Sequence, residues 1–576
     1  MLKIERQVCR HWLFVLATVF ACSEVGAAGV RGTIDQFVQK KAEEIGVRSS
    51  PMAAQDVLIR RLSFDLTGLP PGRDLYQRHS DLGFEAGFDS IVESFLNSPQ
   101  FGERMASMWM NVARYAEDQA HQVGNDTKHF YPNAYLYRQW VVDAFNSDLP
   151  YDEFVRLQLA GDLYETTSEE DIPALGFLGL GPKYYNRGRL DVKADEWEDR
   201  VDTVTRGFLG LTVACARCHD HKFDPIPTED YYALAGVFAS TEMVNAPYGK
   251  PEAEWTEEDK KQARHTVHIV KEGKPQDLNV FIRGNVERKG DLVPRRFLSL
   301  FYSNEEEIPQ FTQGSGRREL AEAIVANPLA PKVYVNRVWQ QFFGRGIVGT
   351  PSNFGALGDE PTHPELLEYL ADQFVEHGWS TKWLVREIVS SATYRQSSAI
   401  VTENQEKDPD NLYLWRMARR RLSVEAWRDT LLALGENLDQ EKGRSLRLDD
   451  PENHRRTLYG RVSRLKLNPV LVNGDYPDAN VHSGKRAVTT TPIQKLYALN
   501  SEFVMEQAGM LTKRLDRESL SDVEWIQNAY RLLFFREVTA SELDLGLEFM
   551  ASEDIGQRKL LYAQALLTSN ELSYLD

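Results

Sequence analysis

The sequence predicts a mainly α protein: two helical domains with a small β-containing segment between them. Apolar residues recur every three or four positions over long stretches on both sides of the middle of the chain. Residues 246–310 break that rhythm, alternating in places and carrying Gly-Lys-Pro and Arg-Gly-Asn turn signals. From Ser315 the helical spacing returns, as in "RRELAEAIVANP" and "HPELLEYLADQFVEHGW". The chain has 576 residues, 42% of them apolar and 26% charged, which is ordinary for several packed cores and argues against general disorder.

Taken in order, residues 1–28 read as an export signal. Lys3, Arg6 and Arg10 precede the short apolar run "LFVLATVFAC", and "SEVGAAG" supplies small residues for cleavage near Ala27 or Ala28. Cys22 sits where a lipidated cysteine would, giving a lipid anchor as the alternative, although Phe20 suits that motif poorly. The expected location is the periplasm or cell envelope. No later run has 18 consecutive apolar residues, so no transmembrane segment is expected.

Residues 30–245 form the predicted N-terminal helical domain. In "QDVLIRRLSFDLTGLPP", Val57, Leu58, Leu62 and Leu66 share a face that Gly68 and Pro70-Pro71 close. "FDSIVESFLNSPQFGERMASMWMNVARYAED" gives two more helices, broken at Ser98-Pro99. Val201, Val204, Phe208, Leu211 and Cys215 step by three or four, which places Cys215 at the buried edge of a helix end and Cys218 one turn on. Thr228, Glu229 and Asp230 start the next helix after Pro225 and Pro227. Residues 246–310 form the strand-containing connection, and 311–576 the C-terminal helical domain.

The formal net charge of −18 argues against nucleic acid or an anionic membrane as the main partner, and no basic run has the length of a polybasic anchor. Cysteine usage says more. After loss of the signal only Cys215 and Cys218 are left outside a lipidated Cys22, which is not a disulfide scaffold. They stand in "VACARCHDHKFDPIPTEDYY", where Cys215-Ala216-Arg217-Cys218-His219 has the order of a c-type haem attachment site: two thiols for the vinyl groups and an imidazole for iron. Chance would produce this arrangement about four times in ten thousand at this composition, so coincidence is a poor account. Haem c is the first reading of the cofactor, with His219 as the metal ligand. A Cys215–Cys218 disulfide and a zinc site that adds His219 or His221 stay open beside it.

Asp220, His221, Lys222 and Asp224 follow directly, as partners that orient His219 or touch haem propionates, or as a salt-bridged turn between helices. A sixth iron ligand would come from Met105, Met108, His121, His129 or His482, each better explained by packing or by the surface than as a ligand. His363 precedes Pro364 at a helix start, where capping accounts for it.

The segments "LIRRLSFDLTGLPP", "SPQFGERMASMWMNVARYAED", "GLTVACARCHDHKFDPIPTEDYYAL" and "VFIRGNVERKGDLVP" resemble the planctomycete cytochrome-like (PSCyt-type) domain of unknown function. "PKVYVNRVWQQFFGRGIVGTPSNFGALGDEPTHPELLEYLADQF", "SSATYRQSS" and "TTTPIQKLYALNSEFV" resemble its C-terminal companion, the PSD-type domain. The resemblance implies an exported protein that shares the CxxCH-Asp-His-Lys block. It also implies that Trp109–Asp118 and Asp195–Asp202 join the cysteines in one site.

Three functions compete. An exported redox or electron-transfer protein would tether haem through Cys215 and Cys218, with an unknown redox partner. A hydrolase or lyase on exported carbohydrate would draw an acid and base from Asp118, Glu196, Asp199 and Asp202. A non-catalytic envelope scaffold would hold the cysteines as a disulfide. No Gly-x-Ser-x-Gly elbow and no phosphate-binding glycine loop supports nucleophilic or nucleotide chemistry.

Overall fold

The protein is described by a computed structural model covering residues 30–72, 75, 84–119, 130–184, 188–304, 307–552 and 557–576. Residues 1–28, expected to be an export signal, and with them Cys22, as well as His121 and His129, lie outside the described residues.

The N-terminal part is helical, and its helices begin and end where local chemistry dictates. α1 (Val30–Ile45) is followed by α2 (Gln55–Thr67). Gly68 ends α2 in the left-handed region at φ +71°, its N–H donating to the Phe64 carbonyl at 3.0 Å. α3 (Phe84–Leu96) and α4 (Pro99–Val112) are separated at Ser98, with Pro99 in the first turn, where its missing N–H costs nothing. α5 (Tyr135–Asn146) packs on α4, and α6 (Tyr151–Ala160) follows. α7 (Leu190–Val204) continues into a π-turn over Thr205–Leu209, which Gly210 stops at φ +62°.

That stop corrects the reading of one helix running to Cys215. Val201, Val204, Phe208 and Leu211 are buried as their spacing implies. Beyond Gly210, however, the chain turns away, and Cys215 sits in a separate 3₁₀ turn, Val213–Arg217, exposed to solvent. A side chain at Gly210 would collide with Phe354 and Val333, so the tight reversal needs glycine.

α8 (Thr228–Ala239) leads into the strands. β1 (Thr241–Pro247) pairs antiparallel with β2 (Thr266–Glu272), and β3 (Leu278–Phe281) with β4 (Lys289–Val293). The first strand thus starts before residue 246. The helices that follow are α9 (Arg317–Val325), α10 (Leu329–Phe343), α11 (Pro364–Glu376), α12 (Thr381–Ser390) and α13 (Val424–Leu434). α14 (Pro492–Asn500), α15 (Glu502–Glu518), α16 (Asp522–Phe534), α17 (Ala540–Ala551) and α18 (Arg558–Leu567) come next among the longer helices. A short pair joins β5 (Arg420–Arg421) to β6 (Tyr574–Leu575). The protein is mainly α, and the sheets among the described residues are two-stranded. No helix among the described residues is long and apolar enough to cross a membrane.

One buried apolar cluster contains side chains from Ile34 through Phe535, so residues from both ends of the chain share it. Trp109 of α4 lies at 0% exposure, its indole N–H donating to Gln158 Oε1 at 2.8 Å and to the Tyr137 hydroxyl at 3.1 Å. Tyr151 of α6 stacks on Tyr334 of α10 with ring centroids 3.7 Å apart. A second cluster gathers α13 and α15 to α18 around Trp525, Leu511 and Leu567.

Polar groups cross between the two parts as well. Asp65 of α2 receives both Nη atoms of Arg420 at 2.9 and 2.7 Å, and Glu103 of α4 receives Arg456 at 2.6 Å and the Tyr459 hydroxyl at 2.7 Å. These carboxylates are buried, so their cations are structural necessities rather than surface ornaments.

Candidate functional site: the CxxCH turn and its neighbours

The cysteine turn rests on α7 and α8. Arg217, between the two cysteines, pairs with Asp195 Oδ1 at 2.8 Å and with Glu198, anchoring the turn to α7. The Tyr232 hydroxyl of α8 donates to the Arg217 carbonyl at 3.0 Å, and burial pushes that phenol up to about 12. Ala216 faces inward at 0% exposure. Cys215 and Cys218 face outward and are not bonded to each other. Gly284, at φ +71°, lies against Cys218: a Cβ there would fall 2.7 Å from the sulfur. Glycine at that position therefore leaves the room Sγ occupies.

His219 is exposed, and its Nδ1 lies 2.7 Å from the Asp220 carbonyl. A carbonyl can only accept, so Nδ1 carries the proton and Nε2 holds the lone pair. No partner for Nε2 occurs among the described residues. His221 has the opposite arrangement. Its Nδ1 accepts the backbone N–H groups of Asp224 at 2.8 Å and Phe223 at 3.3 Å, so its Nε2–H donates to Thr212 Oγ1 at 3.0 Å.

The remaining charged neighbours are engaged in holding the loop. Asp220 Oδ1 accepts both the N–H and the hydroxyl of Thr228, at 3.0 and 3.1 Å, satisfying the first turn of α8 from a distance in sequence. Asp224 Oδ1 accepts the Ala356 N–H at 2.6 Å, docking the loop onto the C-terminal part. Lys222 lies over the exposed Phe223 ring at 5.1 Å. Among the described residues no three His, Cys, Asp or Glu side chains converge as a group that could hold a metal ion.

The segments Trp109–Asp118 and Asp195–Asp202 do meet next to this turn. Arg114 grips Asp199 with two bonds, 2.7 and 2.6 Å, the arginine buried and the aspartate half-buried. Asp118 accepts the Arg464 N–H at 2.7 Å and the Ser463 hydroxyl. Arg464 in turn donates to the carbonyls of Asp118, Arg114, Leu180 and Ala479 at 2.6, 2.7, 2.6 and 3.0 Å. Glu196 pairs with Arg200 at 3.9 Å and Asp202 with Arg206 at 2.5 Å, although burial still pushes the Asp202 carboxyl up. Each of the four carboxylates proposed for hydrolysis is thus tied to an arginine or to backbone donors.

The sixth-ligand candidates scatter. Met105 is buried in the main core, and Met108 lines a separate cleft. His482 uses both ring nitrogens: Nδ1–H donates to the Val112 carbonyl at 2.9 Å, and Nε2 accepts from Ser352 Oγ at 2.6 Å. His363 occupies the residue before α11 but makes no side-chain cap bond, which corrects the capping account; burial pushes its ring down to about 4.

Sequence reasoning missed that separate cleft. Its volume is ≈ 670 Å³, and Arg104, Arg337, Arg420, Arg421, Lys485 and Arg486 are among the residues on its walls. The triplet Arg419-Arg420-Arg421 is its one sequence signal.

A two-part, mainly α protein with an exposed cysteine–histidine turn is the class that fold and site define. Comparison with known families makes it particular. Residues 33–243 match PSCyt2, a protein of unknown function (DUF1549), and residues 316–550 match PSD1, a protein of unknown function (DUF1553). The chain thus carries a PSCyt2 region followed by a PSD1 region. No curated protein and no solved structure matches it.

Proposed function

We propose that the protein is an exported redox protein whose CxxCH turn carries haem c covalently. One observation carries this reading: both thiols are exposed and unbonded, and the adjoining imidazole has Nδ1 locked with its Nε2 lone pair outward. That donor set fits the group. Cys215 and Cys218 would tether it, and His219 Nε2 would ligate the iron. Haem bound there would supply one-electron chemistry, with a potential set by its axial ligands and exposure. The residues of the chain hold the geometry: the Asp220 carbonyl fixes the His219 tautomer, as metal-bound histidines require. Arg217 and Tyr232 fix the turn between the thiols, and Gly284 keeps the flank of Cys218 clear.

The intact mass of the mature protein, made in cells with active haem-attachment machinery, tests this. The expected result is one haem added, with an absorbance band that survives denaturation and is lost in Cys215→Ser/Cys218→Ser. Two free thiols, or a mass lower by two protons, would refute it.

A further inference from the structure

We propose that the arginine-lined cleft between the PSCyt2 and PSD1 regions is a binding site for a small molecule bearing a phosphate or sulfate ester. The cations named on its walls come from four stretches far apart in sequence. α4 contributes Arg104, α10 Arg337, β5 Arg420 and Arg421, and the segment before α14 Lys485 and Arg486. Its volume of ≈ 670 Å³ is in the range of sites for small organic ligands, which favour the seams between domains.

The charge balance points to an anion. Five of the lining arginines already hold carboxylates: Arg420 holds Asp65, Arg421 Asp475, Arg486 Glu425, Arg345 Asp359 and Arg419 Asp576. The other three lining cations have no carboxylate partner among the described residues. Arg337 donates only to the carbonyls of Gly207, Arg206 and Pro351. Arg104 meets the Asp65 carbonyl at 3.4 Å and, with the amide of Gln341 turned, its oxygen at 2.9 and 2.6 Å. Lys485 is exposed at the rim, and no partner of its ammonium occurs among the described residues.

Hydrogen-bonding capacity is left over too. The Nε atoms of Arg337, Arg420 and Arg421 are buried with no acceptor, and Arg337 as a whole is 2% exposed. Natural proteins leave few such donors unmade. Three surplus positive charges in one concavity, within a chain of net charge −18, are a local inversion of the molecular field. Guanidinium forks match the oxygens of phosphate and sulfate groups, and burial strengthens each such contact. A concave seam of this volume suits a monomeric or short oligomeric ester rather than a polymer lying on a flat face.

Calorimetric titration and thermal unfolding of the full-length protein test the site, using glucose 6-phosphate, glucose 6-sulfate and glucose at matched ionic strength. Both esters, or one of them, should bind and raise the melting temperature while glucose does not; which ester binds more tightly tells the source of the anion. Lys485→Glu sits on the exposed rim and should fold normally while weakening binding by about tenfold. Arg104→Gln should weaken it further, whereas Lys289→Glu on β4 should not change it. Cys215→Ser/Cys218→Ser should also leave it unchanged, separating this site from the haem reading. The proposal is overturned if neither ester binds, if Lys485→Glu binds as the unaltered protein does, or if single-stranded DNA binds more tightly than both esters.

Discussion

The cysteine turn and the seam between the PSCyt2 and PSD1 regions carry their polar groups in opposite ways. In the turn, five consecutive residues present two thiols and an imidazole to solvent, and their supports come mainly from α7 and α8 nearby. In the seam, arginines from residues 420, 456 and 464 reach carboxylates and carbonyls of residues 65, 103 and 114–118, all buried. The first is a local device that the fold displays; the second is a set of contacts that the fold itself depends on. Removing a group should therefore cost little stability in the turn and much in the seam.

Arg464→Ala gives the strongest test of that contrast. It strips four buried carbonyls, that of Asp118 among them, of a charged donor and should destabilise the protein by about 4 kcal/mol, read from the midpoint of urea unfolding. A loss below about 1 kcal/mol would erase the distinction between turn and seam. Acid is the next probe. His482, on the seam, is pushed down to about 3, first by burial and then by Arg337. Unfolded, it would titrate near its ordinary value of about 6.5, so between these values only the unfolded chain takes up the proton. Its contribution is complete above about pH 6.5 and is lost as pH falls towards 3. Because part of the residue reaches the surface, we expect ~2 kcal/mol from it, flattened in His482→Asn.

Smaller effects sharpen the comparison. Asp199→Asn leaves Arg114 buried beside a neutral amide, and a loss of about 2 kcal/mol is expected in the same unfolding experiment. Asp220→Ala removes the acceptor at the start of α8 and should cost about 1 kcal/mol. Cys215→Ser/Cys218→Ser should shift stability by less than about 0.5 kcal/mol in protein lacking haem, since both side chains are exposed. A large loss there would mean that the turn is part of the core.

The same contrast explains what the sequence revealed. α2 was legible because Val57, Leu58, Leu62 and Leu66 mark one face and Gly68 ends it, all within a single stretch. The CxxCH turn was legible because its chemistry lies in five adjacent residues. The end of α7 was misread because the apolar rhythm runs past Gly210: Leu211 is buried beyond the helix end, and the close approach of Phe354 that forces the reversal lies far along the chain. The cleft was invisible for a related reason. Arg104, Arg337 and Lys485 are unremarkable in their own neighbourhoods, and only folding brings them onto one concave wall. The net charge of −18 hid the local surplus, since a sum over the chain carries no positions.

The small β5–β6 ladder has a consequence of its own. Arg420 is registered against Leu575 and Arg421 against Tyr574, while Arg61 Nε donates to the carbonyl of Asp576 at 2.7 Å. Residues 574–576 thus act as a latch that keeps the guanidinium wall aimed inward. Unzipping that ladder would loosen a surface made by segments far upstream before any helix melted.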